Sequence, residues 1–200
     1  MRRVTIKTSR LEAFSDGVMA IVITITVLGI HMPKDTSFSS IIDILPMFAI
    51  YTWSFRTIAT YWNNHHHLFD ATPSINSRIM WVNMHFLFWL SLIPFVTEWL
   101  GHNFGKALPT AVYSFILLWT AVAYTLIEKA IVHHHGSKSK FAKALGSDIK
   151  GKLSLGCYIL AIIISFIIPL ISYILIIAVA VIWFIPDKRI SKIRKKKLQN

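Results

Sequence analysis

The chain has 200 residues, 54% of them apolar, with a mean hydropathy of +0.57 and a formal charge of +12. Several apolar runs approach the ~20 residues that cross a bilayer's hydrocarbon core, and no polar stretch is long enough to bury a core of its own. This excludes a catalytic head on an anchor and predicts one helical membrane domain over residues 1–200. The positive charge does not mark nucleic-acid binding, because lysine and arginine sit in terminal and connecting segments and not along one folded face. Cys157 is the single cysteine, so an intrachain disulfide and a multi-cysteine metal site are excluded.

Length and hydropathy predict six spans near 10–30, 41–64, 77–100, 109–131, 152–168 and 170–186, followed by a basic tail over 187–200. The first run is long and lacks a small-residue cleavage site, so it is expected to stay as the first transmembrane helix. Asp16 lies six residues beyond Arg10, ~9 Å up a helix, inside this apolar run. A central carboxylate costs ~2.5–3.5 kcal/mol on insertion scales, so Asp16 needs protein partners or water. Hydrogen bonds that fasten the first helix to another span satisfy that need, with Arg56, Asn63, His65 and Asn83 at similar depth; a proton relay or cation site is the alternative.

At 100° per residue, Gly17, Ile21, Thr24 and Leu28 fall on one stripe of this helix with Ile25 beside it, while Asp16 points a quarter-turn or more away. Rings of Ile21, Ile25 and Leu28 around an axis would close a pore by dewetting, and Thr24 hydroxyls would replace part of an ion's hydration shell. Such a stripe also serves ordinary helix packing, and Thr24 and Thr26 can bond back to their own helix's carbonyls.

The loop HMPKDTSFSS carries the breaker Pro33 and the opposed charges Lys34 and Asp35. The second span ends in His65, His66 and His67, and the fourth leads into His133, His134 and His135. Histidine at the membrane boundary can titrate or bind a transition metal. Consecutive helical residues point apart, however, and no HExxH or Cys/His spacing supports a ligand set. The third span is aromatic and contains Asn83, His85, Pro94 and Glu98; the last two spans meet around Pro169 as a tight hairpin.

Lysine and arginine concentrate in the N-terminus (Arg2, Arg3, Lys7, Arg10), the long connection after the fourth span and the tail KRISKIRKKK. The positive-inside rule makes these segments cytoplasmic, and an even number of spans puts both termini on that side. The tail either binds anionic lipid headgroups, at ~1 kcal/mol per basic residue, or only sets topology. No GxxxxGK[ST] or GxGxxG fingerprint and no nucleophile constellation occurs, so an enzyme is not expected, nor a cofactor.

The stretch RLEAFSD, with Arg10, Phe14, Ser15 and Asp16, resembles the RxxxFSD signature of the transmembrane-protein-175 family of potassium channels and its prokaryotic homologues. YWNNHHHLF, with Trp62, His65, Leu68 and Phe69, is similar to the family's WxxHxxLF pattern, and Asn83 followed by LIPFVT resembles its third helix. The resemblance implies an all-α membrane protein with six transmembrane helices per subunit and no P-loop filter, assembled as a homotetramer around the first helix in a prokaryotic plasma membrane. It further implies a hydrophobic constriction at Ile21 with apolar layers at Ile25 and Leu28, and potassium preference at Thr24. Arg10, Ser15 and Asp16 would then be structural, joined to Trp62, His65 and Asn83. Ala20 stands where some relatives carry a hydroxyl, so weak selectivity for potassium over sodium is expected. The rival expectations are a proton channel or proton-coupled carrier using Asp16, and a non-conducting scaffold.

Overall fold

A computed structural model describes residues 8–33, 35–136, 139, 142 and 148–184 of the chain. The basic residues Arg2, Arg3, Lys7 and Lys34 and the tail KRISKIRKKK lie outside the described residues, as do most of the lysines of the long connection. All regular structure among the described residues is helical: α1 (Thr8–Leu28), α2 (Phe38–Asp70), α3 (Ser77–Ser91), α4 (Ile93–His102), α5 (Ala107–His135), α6 (Ile149–Ser165) and α7 (Pro169–Phe184). Counting α3 and α4, which only Leu92 separates, as one unit gives six helical units among the described residues. Four of the six, namely α1, α2, α3 with α4, and α5, are long and apolar enough to cross a membrane. The last two, of 17 and 16 residues, rise ~25 Å each and are at the short end for a span.

The third unit is broken at Leu92, where the sequence predicts one continuous span. Pro94 supplies the reason: it has no N–H for the Leu90 carbonyl, and its ring crowds the turn before it. The chain turns tightly there, Leu92 N–H donating to Trp89 O at 3.2 Å, before α4 resumes with Pro94 in its first turn. The second unit is longer than predicted, for it runs through the histidine triplet to Asp70 because no breaker intervenes before Pro73. It starts where Asp35 accepts hydrogen bonds from the Ser37 N–H at 2.8 Å and from the hydroxyls of Ser37 and Ser40. Those donors, the Ser37 hydroxyl first, hold the exposed Asp35 carboxyl down to about 2.

The core sits between α2, α3 and α5. Tyr61, Phe86 and Tyr124, one from each, form a ring cluster with centroids 5.6, 5.8 and 5.7 Å apart, within the range where tilted and edge-on aromatic pairs attract. Toward the C-terminal end of α1, the buried hydroxyls of Ser54, Thr97 and Tyr113 join α2, α4 and α5 through separations of 2.7 and 2.8 Å. There the Met47 side chain of α2 fills the space that Gly101 of α4 leaves: a Cβ on Gly101 would stand 1.8 Å from Met47 Sδ, so Met47 would have to swing away from any larger residue. The hairpin of α6 and α7 is closed by Ser172 Oγ donating to Ala161 O and Trp183 Nε1 donating to Ser154 Oγ, both at 2.8 Å.

Candidate functional site

Helix α1 has two unlike faces. Leu11, Ser15, Met19, Val22 and Thr26 recur at helical spacing and are buried against the other helices. Opposite them, Gly17, Thr24, Ile25, Ile21 and Leu28 are exposed, Ile21 by 59% and Leu28 by 74%, so none of the other described elements fully covers the stripe. The Thr24 hydroxyl donates to its own helix, with Ile21 O at 2.9 Å and Ala20 O at 3.1 Å. Because its proton is used inward, the oxygen lone pairs are left on the open side, where they can accept a donor or a cation. Thr26 also bonds back, to Val22 O at 2.7 Å, but on the buried face.

The buried face is bolted down near its N-terminal end by hydrogen bonds. Asn83 of α3 donates from Nδ2 to Ser15 Oγ at 2.9 Å, and Ser15 donates its own proton to Leu11 O, also at 2.9 Å. Asn83 Oδ1 is therefore an acceptor and lies 2.8 Å from His65 Nε2 of α2, which fixes the proton of a neutral His65 on Nε2. All three residues are fully buried, and His65 is held between Phe69, 4.5 Å away, and Phe86, stacked at 5.9 Å. One amide thus joins three helices, using its donor and acceptor sides in opposite directions.

Alongside runs an antiparallel pairing of α1 with α2. Asp16 accepts from Trp62 Nε1 at 2.9 Å, and one turn earlier on α1 Glu12 Oε1 meets His66 Nδ1 at 2.7 Å, one turn later on α2. Residues four apart share a helix face, so Glu12 and Asp16 present both carboxylates to the matching pair His66 and Trp62. Of the predicted motif residues, the structure brings Ser15, Asn83 and His65 together and pairs Asp16 with Trp62. Arg10 and Phe14 are exposed, and among the described residues neither makes a hydrogen bond to the others. Arg56 and Asn63, also considered for Asp16, are not its hydrogen-bond partners there.

The histidine triplets divide in the same way. His65 is in the core and His66 faces α1, while His134 approaches Asn76 Nδ2 at 3.1 Å and His135 Nε2 approaches Ser74 O at 3.1 Å. His65 and His66 join α2 to its neighbours, while His134 and His135 hold the connection before α3, so these histidines do not converge on one point. The grouping of possible metal ligands that does converge among the described residues is His31, Glu98 and His102. The sequence reading passed over this grouping. Its only local signal is the one-turn spacing of Glu98 and His102, and nothing in the sequence links them to His31.

With this geometry in view, the comparisons with known proteins are informative. The family profile described as "Endosomal/lysosomal potassium channel TMEM175" matches residues 10–94, a stretch that contains Arg10, Phe14, Ser15, Asp16, Trp62, His65 and Asn83. A potassium channel of Chryseobacterium sp. (strain P1-3) is 46% identical over 187 residues, covering 94% of this chain and 97% of that protein. The chain belongs to the TMEM175 potassium channel family. A potassium channel of Streptomyces collinus is 32% identical over 126 residues, or 59% of this chain and 61% of that one. The crystal structure of a lysosomal potassium-selective channel TMEM175 homolog from Chamaesiphon minutus superposes with a TM-score of 0.79 at 26% identity, covering 90% of this chain and 97% of that chain. The family is one of multi-pass ion channels and not of enzymes, and the helical architecture of the described residues agrees with it.

Proposed function

We propose that this protein is a passive, potassium-preferring cation channel whose pore is lined by α1 of four identical subunits. The observation that carries the reading is the division of α1: one face is bolted to α2 and α3, and the other, with Ile21, Thr24, Ile25 and Leu28, is left open in the single subunit. A helix fixed on one side and bare on the other suits a central axis shared by copies of the same chain. Around that axis Ile21, Ile25 and Leu28 form the narrow apolar path, which opposes ions by dewetting when tight. Thr24, its proton turned back into the helix, offers oxygen toward the axis and favours the more easily dehydrated potassium. Without a hydroxyl at Ala20 the preference over sodium is weak.

The protein acts in the plasma membrane of a prokaryote with both termini cytoplasmic, and needs no cofactor. The charge distribution supports that topology, with lysine and arginine gathered at the termini and in the long connection. The permeant species is potassium, with other monovalent cations following less well.

The test is the reversal potential of purified protein in planar bilayers under opposed potassium and sodium gradients. A potential displaced toward potassium is expected, and Thr24→Ala should move it toward zero; an unchanged potential would remove Thr24 from the mechanism. Mass determination in mild detergent checks the assembly, where a monomer would rule out an axial pore. The rival reading, proton passage through Asp16, is tested by Asp16→Asn. That variant keeps the Oδ1 acceptor for Trp62 and so should assemble. Equal currents in variant and wild type are expected, whereas loss of a pH-dependent current would favour the rival.

A further inference from the structure

At the C-terminal end of α1, His31 stands beside the last turn of α4, whose Glu98 and His102 lie four residues apart on one helix face. Each of the three residues offers a ligand atom, and these atoms all lie within 4.8 Å of one another. The His31 and His102 rings meet edge-on with centroids 5.2 Å apart. We propose that His31, Glu98 and His102 form a binding site for a divalent transition metal of the zinc class, which clamps the end of α1 to α4.

Two imidazoles and one carboxylate are the donor set that zinc takes in open sites, with bonds of ~2.0–2.2 Å and a fourth position left to water. Tetrahedral bonds of that length put ligand atoms ~3.4 Å apart, so from a span of at most 4.8 Å the trio must close by up to ~1.4 Å. All three side chains are exposed and at the rim, where rotamer changes of that size meet no packed neighbour on the solvent side.

Two further features fit the assignment. His31 Nδ1 lies 3.1 Å from Gly29 O, so a proton on Nδ1 is held by a backbone carbonyl and Nε2 is left with its lone pair for a metal. Gly29 also makes room for the carboxylate, since a Cβ there would stand 3.1 Å from Glu98 Cβ. Asp35 and Asp43 line the groove that contains His31 and His102 and add negative charge to it, which favours a cation over an anion.

The site is also joined to the open face of α1. Glu98 lines one groove with Ile21, Ile25 and Leu28, so the carboxylate that would hold the metal sits at the end of the apolar stripe. A metal there would restrain the segment that, on the proposed channel reading, ends the pore helix.

Zinc binding to the purified full chain, measured by competition with a chromophoric chelator, needs no current and so is separable from the channel reading. One site per subunit is expected at low micromolar zinc. His31→Ala, Glu98→Gln and His102→Ala should each weaken it by about tenfold or more, while His133→Ala, on an exposed histidine outside the trio, should leave it unchanged. Calcium and magnesium, which prefer oxygen ligands, should not compete. Binding that survives all three substitutions, or that His133→Ala removes instead, would overturn the site; calcium competing as well as zinc would overturn the metal class.

Discussion

Asn83→Ala is expected to destabilise the folded subunit by about 2 kcal/mol, and Ser15→Ala by less, because it orphans one buried donor, Asn83 Nδ2, where Asn83→Ala breaks two bonds. The difference follows from what each change orphans. Asn83 satisfies two buried partners at once, at 2.9 Å to Ser15 and 2.8 Å to His65. When it is lost, Ser15 still donates to Leu11 O, so the hydroxyl gives up only an acceptor role. His65 is left worse off: its Nδ1 already has no hydrogen-bond partner among the described residues, and Nε2–H would join it between two phenylalanine rings. An unmade buried hydrogen bond costs about 1–3 kcal/mol in water-soluble proteins, but within a membrane the unfolded reference also finds partners, which lowers the figure. Thermal unfolding of the purified protein in detergent, followed through a double-mutant cycle of Asn83 with Ser15 and with His65, would place the larger coupling on the His65 arm. If Asn83→Ala melts like wild type, the triad does not hold α1.

Much of this arrangement was legible in the sequence, and the reasons differ by element. The open stripe of α1 follows from helical geometry alone, since Ile21, Thr24 and Leu28 return to one side every three to four residues. Its separation from Asp16 follows from the same arithmetic, and Asp16 indeed turns to Trp62 of α2. Periodicity cannot say which of two faces is covered; burial of Met19 and Val22 on the other side settles that. Ser15 and Asn83 are 68 residues apart in sequence and Asn83 and His65 are 18 apart, and polar residues at equal depth are interchangeable to a hydropathy argument. Only the resemblance to a known signature joined them. Arg10 shows the limit of that carry-over, because it belongs to the signature yet is exposed and makes no hydrogen bond to the triad among the described residues.

Other features were missed for local reasons. Pro94 in an apolar run reads as a tolerated kink in a membrane helix, and whether it bends or breaks the helix depends on neighbouring packing. The second helix outlasts its hydrophobic stretch because histidine, leucine and phenylalanine continue a helix without difficulty once it is anchored, here by His65 and His66. The trio of His31, Glu98 and His102 was invisible because it joins a loop to a helix end, and neither segment carries a ligand motif alone.

Ile21→Asn should raise potassium current by about tenfold or more, equivalent to at least ~1.4 kcal/mol off the barrier to permeation. In the proposed assembly, four Ile21 side chains meet at the axis, and a narrow ring of branched aliphatic groups is costly to keep wet. An ion passing such a ring gives up hydration with nothing to replace it, whereas an asparagine amide supplies a carbonyl oxygen to the ion and an N–H to water. Asparagine has as many side-chain heavy atoms as isoleucine but a smaller volume, so the gain combines the new polarity with some widening of the ring. The exposed position of Ile21 makes the change tolerable to the subunit itself, because no contact within the chain depends on that side chain being fully enclosed. Two companions separate pore polarity from a general loosening of the helix. Val27→Asn places the same amide on an exposed position of α1 about 120° around the helix from Ile21, and its current should match wild type. Met19→Asn places it on the fully buried face, where the expected result is poor assembly and no increase. Equal gains in Ile21→Asn and Val27→Asn would mean that the stripe does not face the ion, and the axis would then have to be built from another helix.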